Sequence, residues 1–184
     1  MAIQEPKPEF AELVEAHARE IHAFVWRLVR EDAESEDVLQ SAFLRAFRAY
    51  DRLPGGANYR AWLYKIAGNE ARTRLRRRAR SPVELSDDFP AAAPSVEHQA
   101  ELQLRLSEVA QAVEKLPHKQ RASLILRNYQ GLGYAEIGEI LEVSPEAARA
   151  NVYQALRKLR ARFVTAASGD LPAPARSPVE ARVR

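Results

Sequence analysis

Apolar positions recur at helical spacing through most of the chain. Over residues 9–30, Phe10, Leu13, Val14, Ile21, Phe24, Val25 and Leu28 share one face, with His17 among them. Asp32 is the expected N-cap of a second helix, and Glu34 and Glu36 sit in its first turn, where the helix dipole favours acids. That helix carries Val38, Leu39, Ala42, Phe43, Ala46 and Phe47 as its apolar stripe. Pro54-Gly55-Gly56 breaks the pattern into a loop, and Asn58 is placed to cap a third helix. In that third helix Trp62, Lys65, Asn69, Arg72, Arg76 and Arg80 fall on one face, opposed by Leu63, Ala67, Ala71 and Leu75. Residues 9–80 thus read as an all-helical unit with one markedly basic helix.

Residues 81–97 have three prolines, four acids, no base and no periodicity, and read as a flexible linker. Fully extended, such a segment reaches about 58 Å. Helical spacing resumes through Leu102, Leu106, Val109 and Val113 and stops at Pro117. Three short amphipathic segments follow at 118–130, 134–141 and 145–163, separated by Gly131-Leu132-Gly133 and Glu142-Val143-Ser144. Ser144 followed by Pro145 is an N-cap with proline at the first helical position. The last helix buries Ala148, Val152, Ala155, Leu156, Leu159 and Phe163 and turns Glu146, Arg149, Tyr153, Arg157 and Arg160 outward. Two short helices joined tightly, the second longer and basic, describe a helix-turn-helix. Gly138 is expected where a small residue lets those helices approach. The tail after Phe163, rich in proline and arginine, is expected to be disordered. The fold class is all-α: two small helical domains, at 1–80 and 98–165, joined by the linker.

Charge sharpens this outline. The 184 residues carry a net charge of only +3, unevenly spread. Nine bases against two acids give +7 over 51–80, and eight against three give +5 over 143–184. The other stretches are acidic or nearly neutral: −4 over 1–50, −4 over 81–97 and −1 over 98–142. Two separated basic segments fit a chain that touches a polyanion at two places. Trp62, Lys65, Asn69 and the arginines of 58–80 are the groups needed to stack on an unpaired base, hydrogen-bond its edges and hold phosphates. A solvated basic helix with one core tryptophan has the same pattern.

Other chemistry finds no support. With no cysteine there is no disulfide, thiol nucleophile or cysteine-based metal site. The four histidines lack ligand spacing, and there is no phosphate-binding loop or nucleophile elbow. The acids from Glu31 to Asp37 lack the glycine and terminal glutamate of a calcium loop. No catalytic residue, metal site or cofactor is expected. No apolar run is long enough to span a bilayer, and MAIQEPKPEF lacks a secretion-signal pattern, so a cytoplasmic location without membrane insertion is expected.

AESEDVLQSAFLRAFRAY (33–50), YRAWLYKIAGNEARTRLRRR (59–78) and LPHKQRASLILRNYQGLGYAEIGEILEVSPEAARANVYQALRKLR (116–160) together resemble the extracytoplasmic-function (ECF) sigma factors. These are sigma-70-family subunits that start bacterial transcription. The resemblance covers roughly 9–163, with regions 2 and 4 in order and the linker between them.

The resemblance implies an alternative sigma factor that binds core RNA polymerase through its clamp and flap, directs it to promoter DNA and helps melt the −10 element. Asp37, Gln40 and Phe43 match the D-x-x-Q-x-x-F signature of the clamp-binding helix, with Val38 and Leu44 beside them. Ser41 stands where glutamate is usual. The −10 contacts map to Leu53, Gly55, Asn58, Tyr59, Trp62, Lys65, Asn69, Arg72, Thr73 and Arg76. Asn69 matches a position that reads the non-template strand, while arginines position phosphates without reading sequence. Trp62 either stacks on a base or supports the pocket from the core side. The −35 contacts map to Tyr134, Ser144, Glu146, Ala147, Ala148, Arg149, Asn151, Tyr153 and Arg157. Glu146 is suited to a cytosine amino group and Arg149 to guanine, while Ala147 and Ala148 pack on a thymine methyl or on the fold itself. Asn151 and Gln154 replace common arginines, which implies a shallower salt dependence. Glu142 replaces a usual turn glycine, at about 1 kcal/mol if the turn needs positive φ.

Recognition elements one and a half DNA turns apart lie on the order of 50 Å from each other, within the linker's reach. In the family the linker runs near the polymerase catalytic centre, where Asp87 and Asp88 either meet basic channel surface or serve solubility. An anti-sigma factor is the expected inhibitory partner, and nucleoid association is expected when the chain is active. A sigma-like decoy and a stand-alone helix-turn-helix regulator are the alternative functions.

Overall fold

A computed structural model describes residues 7–80 and 96–164, and side chains from residue 104 in the second segment. The described residues form seven helices and no strand. Helix α1 (Phe10–Val29) buries Leu13, Ile21, Phe24, Val25, Leu28 and Val29. Helix α2 (Asp32–Tyr50) buries Val38, Ala42, Ala46 and Tyr50. Helix α3 (Tyr59–Arg78) buries Ala61, Leu63, Tyr64, Ala67, Gly68 and Ala71. Phe24 and Tyr64 are both fully buried and meet edge to face at 5.2 Å between ring centroids. A fully buried Phe24 is worth about 1.5–3 kcal/mol from the area it removes from water.

One polar cluster fastens α1 to α3. Arg60 grips Glu20 with two nitrogens, Nε at 2.9 Å and Nη2 at 2.6 Å. The Tyr64 hydroxyl donates to the same carboxylate at 3.1 Å, and His17 Nδ1 lies 2.7 Å from it. Burial works to raise the Glu20 pKa, but hydrogen bonds from Arg60, His17 and Tyr64 prevail and hold it below the usual carboxylate value. His17, expected on the apolar stripe, is therefore a boundary residue with a charged partner.

The helix starts follow local chemistry, with one correction. Glu31, not Asp32, caps α2, accepting from the backbone N–H groups of Ala33 and Glu34. Asp32 is the first helical residue and accepts the Trp26 indole N–H at 2.6 Å. Asn58 caps α3 as expected, its Oδ1 accepting from the Ala61 N–H at 3.0 Å. Helix α1 ends at Arg30 in the left-handed region, φ 64°.

Helix α4 (Val96–Glu114) begins within the stretch read as linker. Of its expected stripe, Leu106 and Val109 are exposed while Val113 packs on the core beside Leu116; Ala112 is buried as well, and the side chain of Leu102 lies outside the described residues. The remainder of the linker and the tail from residue 165 lie outside the described residues. Helices α5 (His118–Asn128), α6 (Tyr134–Leu141) and α7 (Pro145–Val164) complete the helix-turn-helix. The Ser144 hydroxyl caps α7 by accepting the Ala147 N–H at 3.2 Å. Gly138 permits a close approach, although the atoms it meets belong to the connecting turn. A Cβ there would lie 2.7 Å from the Val143 carbonyl oxygen and 3.3 Å from Pro145 N.

The two groups of helices also pack on each other. Helix α3 contacts α6, and α1 contacts α5. Ile125, Leu126, Ile137 and Ile140 join Phe24, Leu28 and Ala67 in one apolar cluster. Gly138→Ala is expected to cost about 1–3 kcal/mol, because the turn backbone must move. A lowered denaturant midpoint with unchanged slope is the check.

Candidate nucleic-acid interface

The exposed side of α3 follows from its buried side. Since Ala67, Gly68 and Ala71 face inward, Asn69, Arg72, Thr73 and Arg76 must face outward, and all four are exposed. They line an open cavity of about 350 Å³ with Ile66 and Arg45. Thr73 Oγ donates to the Asn69 carbonyl at 2.9 Å. Arg45 comes from α2 and forms an ion pair with Glu70 on α3. The sequence pattern gave no reason to single it out, because nothing along the chain pairs those two helices.

The loop before α3 is braced from below. Lys7 Nζ donates to the carbonyls of Tyr50 and Leu53, and the Tyr59 hydroxyl donates to the Pro54 carbonyl at 3.2 Å. Leu53 and Gly55 are half-buried, and Gly56 supplies a left-handed turn at φ 75°. Trp62 is half-buried against the core, with its ring centroid 6.3 Å from that of Tyr50. Of the two roles open to it, support from the core side has a visible contact. Asn58 has a second bond, from Nδ2 to Glu139 of α6 at 3.1 Å. Lys65 Nζ lies 2.6 Å from Glu142.

On α2, Asp37, Gln40 and Leu44 are exposed and Phe43 is half-buried. Val38 is buried at 4% exposure, so it holds the helix to the core and offers nothing to a partner. Phe47, expected in the buried stripe, is instead 63% exposed and continues the apolar surface begun by Leu44.

In the helix-turn-helix, Glu146, Arg149, Tyr153 and Arg157 are exposed, Ala147 and Asn151 are half-buried, and Ala148 is wholly buried. Ala148 thus packs on the fold rather than reaching outward. The Arg149 and Arg127 guanidinium groups lie 5.2 and 4.8 Å from the Tyr134 ring centroid. Gln154 is engaged sideways, accepting from Gln120 Nε2 at 2.7 Å. A hydrogen bond from its own backbone and one from Ser144 hold the Glu146 carboxyl below its usual pKa. Glu142 has φ 53° and ψ 55°, so the turn does take a left-handed residue at this position.

Among the described residues, no group of three or more His, Asp or Glu side chains is placed to hold a metal ion. No described helix is long and apolar enough to cross a membrane.

Comparison with known proteins matches two family models, Sigma-70 region 2 over residues 13–81 and Sigma-70 region 4 over 106–159. The chain is 32% identical over 152 residues to the RNA polymerase sigma factor CarQ of Myxococcus xanthus, covering 82% of this chain and 87% of that one. It is 30% identical over 154 residues to the ECF RNA polymerase sigma-E factor of Escherichia coli K12, covering 78% and 80% respectively. Among solved structures it is similar in fold to the sigma factor RpoE from Bartonella quintana, crystallised with the anti-sigma factor NepR. The TM-score is 0.66 at 23% identity, over 84% of this chain and 96% of that one.

His118, at the start of α5, gives the structure a pH dependence. Burial, with Arg121, Arg72 and Lys119 nearby, lowers its pKa to about 4, and its Nδ1 has no hydrogen-bond partner. The unfolded chain therefore binds the proton first. Stability contributed by the neutral ring is complete above about pH 6.5 and declines as pH falls towards 4. The loss is on the order of 2 kcal/mol for a partly exposed ring. Replacing His118 with Gln should flatten this part of a stability-versus-pH profile measured by urea unfolding.

Proposed function

The chain belongs to the ECF group of RNA polymerase sigma factors, and on that premise we propose how its residues divide the work. As an alternative sigma factor it acts in transcription initiation, giving RNA polymerase its choice of promoters. Members of the family work by binding and carry out no catalysis of their own.

Residues 1–80 bind core polymerase and the −10 element, and 98–165 bind the −35 element. The cavity lined by Asn69, Arg72, Thr73 and Arg76 is the observation that carries this reading. Its one amide and several cations suit an unpaired base with phosphates on either side. Unstacking a base costs a few kcal/mol, and a pocket that receives it offsets that cost only after the strands separate. The loop from Leu53 to Asn58, held in shape by Lys7 and Tyr59, forms the neighbouring wall. Trp62 stiffens that wall from beneath. Asp37, Gln40 and Phe43, joined by exposed Leu44 and Phe47, form the surface for the polymerase clamp. In α7, Glu146 and Arg149 approach base edges in the major groove, and Arg157 contacts phosphate. Tyr134 orients Arg149 from behind.

The setting is the bacterial cytoplasm, at the nucleoid when active. An anti-sigma factor that covers the clamp and DNA faces keeps the chain silent. The exposed apolar pair on α2 and the basic side of α3 support this, since both need a partner or solvent.

Reconstitution with core polymerase on a cognate promoter tests the assignment. Asn69→Ala with Arg72→Ala should reduce open-complex formation at least about tenfold, the worth of roughly 1.4 kcal/mol, while core binding is retained. Full transcription by this double variant would overturn the −10 assignment. Asp37→Ala with Gln40→Ala should do the reverse, weakening core binding about tenfold through lost charge-assisted bonds.

A further inference from the structure

We propose that Lys7, on the segment ahead of α1, is a positioning residue for promoter reading. It fixes the backbone of the 51–57 loop and so sets how strictly bases of the −10 element are chosen. That selectivity rests on the −10 role proposed for Leu53 to Asn58. Lys7 lies outside residues 13–81, the span that matches Sigma-70 region 2, so the family pattern does not account for it.

The contact is reciprocal. Lys7 Nζ donates to the Tyr50 carbonyl at 2.5 Å and to the Leu53 carbonyl at 3.0 Å. In return, the Tyr50 hydroxyl donates to the Pro8 carbonyl. The ammonium also lies 4.1 Å from the centroid of the Tyr50 ring, a cation–π distance. Tyr50 closes α2, and its carbonyl is one of the last in that helix, where the dipole favours a cation. The first residues of a chain are loose unless something ties them down. Here Phe10 does so, with its ring centroid 5.3 Å from those of both Tyr50 and Phe47.

Leu53 is where the loop leaves the end of α2. Its N–H donates to the Tyr50 carbonyl at 2.9 Å, so that one oxygen receives both Lys7 and the loop. The next carbonyl, that of Pro54, accepts the Tyr59 hydroxyl. Two consecutive carbonyls are thus held by two separate elements, the segment ahead of α1 and the start of α3. Gly56 at φ 75° and the Asn58 cap set the far end of the loop from within. The near end takes its shape from Lys7. A loop that samples several conformations fits more than one base and separates them less.

A promoter library randomised in two short blocks, at −10 and −35, is transcribed by full-length chain with core polymerase, and the transcripts are sequenced. Preference is a ratio within one reaction, so a smaller folded fraction cancels. Lys7→Met keeps the length of the side chain and removes its charge. It should reduce base discrimination in the −10 block about three- to tenfold and leave the −35 block unchanged. Lys7→Arg keeps the charge and has donors for both carbonyls, and should retain the preference. Tyr50→Phe should act in the same direction as Lys7→Met. The two together should cost less than the product of their separate effects, since both loosen one strap. Unchanged −10 discrimination in Lys7→Met would overturn the proposal, and so would equal losses in both blocks. An even drop in yield across all sequences, with discrimination intact, marks a phosphate contact and overturns it too. Leu53→Ala tests the loop itself. If it relaxes the −10 block and Lys7→Met does not, only the role of Lys7 falls. If neither does, the −10 assignment of the loop falls with it.

Discussion

Everything in this fold depends on how a strongly basic helix is kept against a core. Three consecutive arginines end α3, and more cations lie along its outer side, yet the helix must dock. It does so through a narrow stripe built mostly of small residues. Ala61, Ala67, Gly68 and Ala71 are all buried. A Cβ on Gly68 would sit 3.6 Å from the Phe24 ring, so the large side chain that fills the contact comes from α1. The stripe needs little of the circumference, and the remainder is free for polar chemistry. Glu20 then fixes the rotation of α3 by binding Arg60 and Tyr64 together. A change in that rotation would turn Asn69 and Arg72 away from their common cavity.

The helix-turn-helix solves a different problem, a connection too short to relax. Gly138 makes room for the turn carbonyl, Glu142 takes the left-handed corner and Ser144 caps the outgoing helix. Each handles one consequence of joining α6 to α7 in three residues. Arg30 adopts the same left-handed geometry at the end of α1, where its guanidinium stacks on Trp26 at 4.6 Å. Both left-handed corners thus bring a charged side chain to a specific neighbour. The intrinsic cost of such a corner, about 1–2 kcal/mol, is offset locally.

Periodicity made the helices and the two faces of α3 legible, because Trp62, Lys65, Asn69, Arg72 and Arg76 follow one another at three or four residues, opposite the small residues of the buried side. Asn58 and Ser144 were legible as caps for the same local reason. What pattern could not supply was the identity of the surface each apolar stripe meets. Val38 and Phe47 both lie on the apolar side of α2, but only Val38 faces α1 and α3; Phe47 rotates past them to the surface. Leu106 and Val109 on α4 behave like Phe47; among the described side chains of that helix, the ones that reach the core are Ala112 and Val113 in its last turn. Arg45 joins the cavity only because α2 and α3 cross beside it. Aspartate is the better N-cap by composition, so Asp32 is the residue the sequence favours, and only the extended backbone at Glu31 makes that residue the cap instead.

Phe47 has a further consequence for the molecule's history in the cell. With Leu44 beside it and Phe10 stacked edge-on at 5.3 Å, it forms an oily spot that no other described residue covers. Water tolerates such a spot poorly, and two idle copies can hide it against each other. A partner seated on this face therefore gains twice, from its own contacts and from the apolar surface it takes out of water.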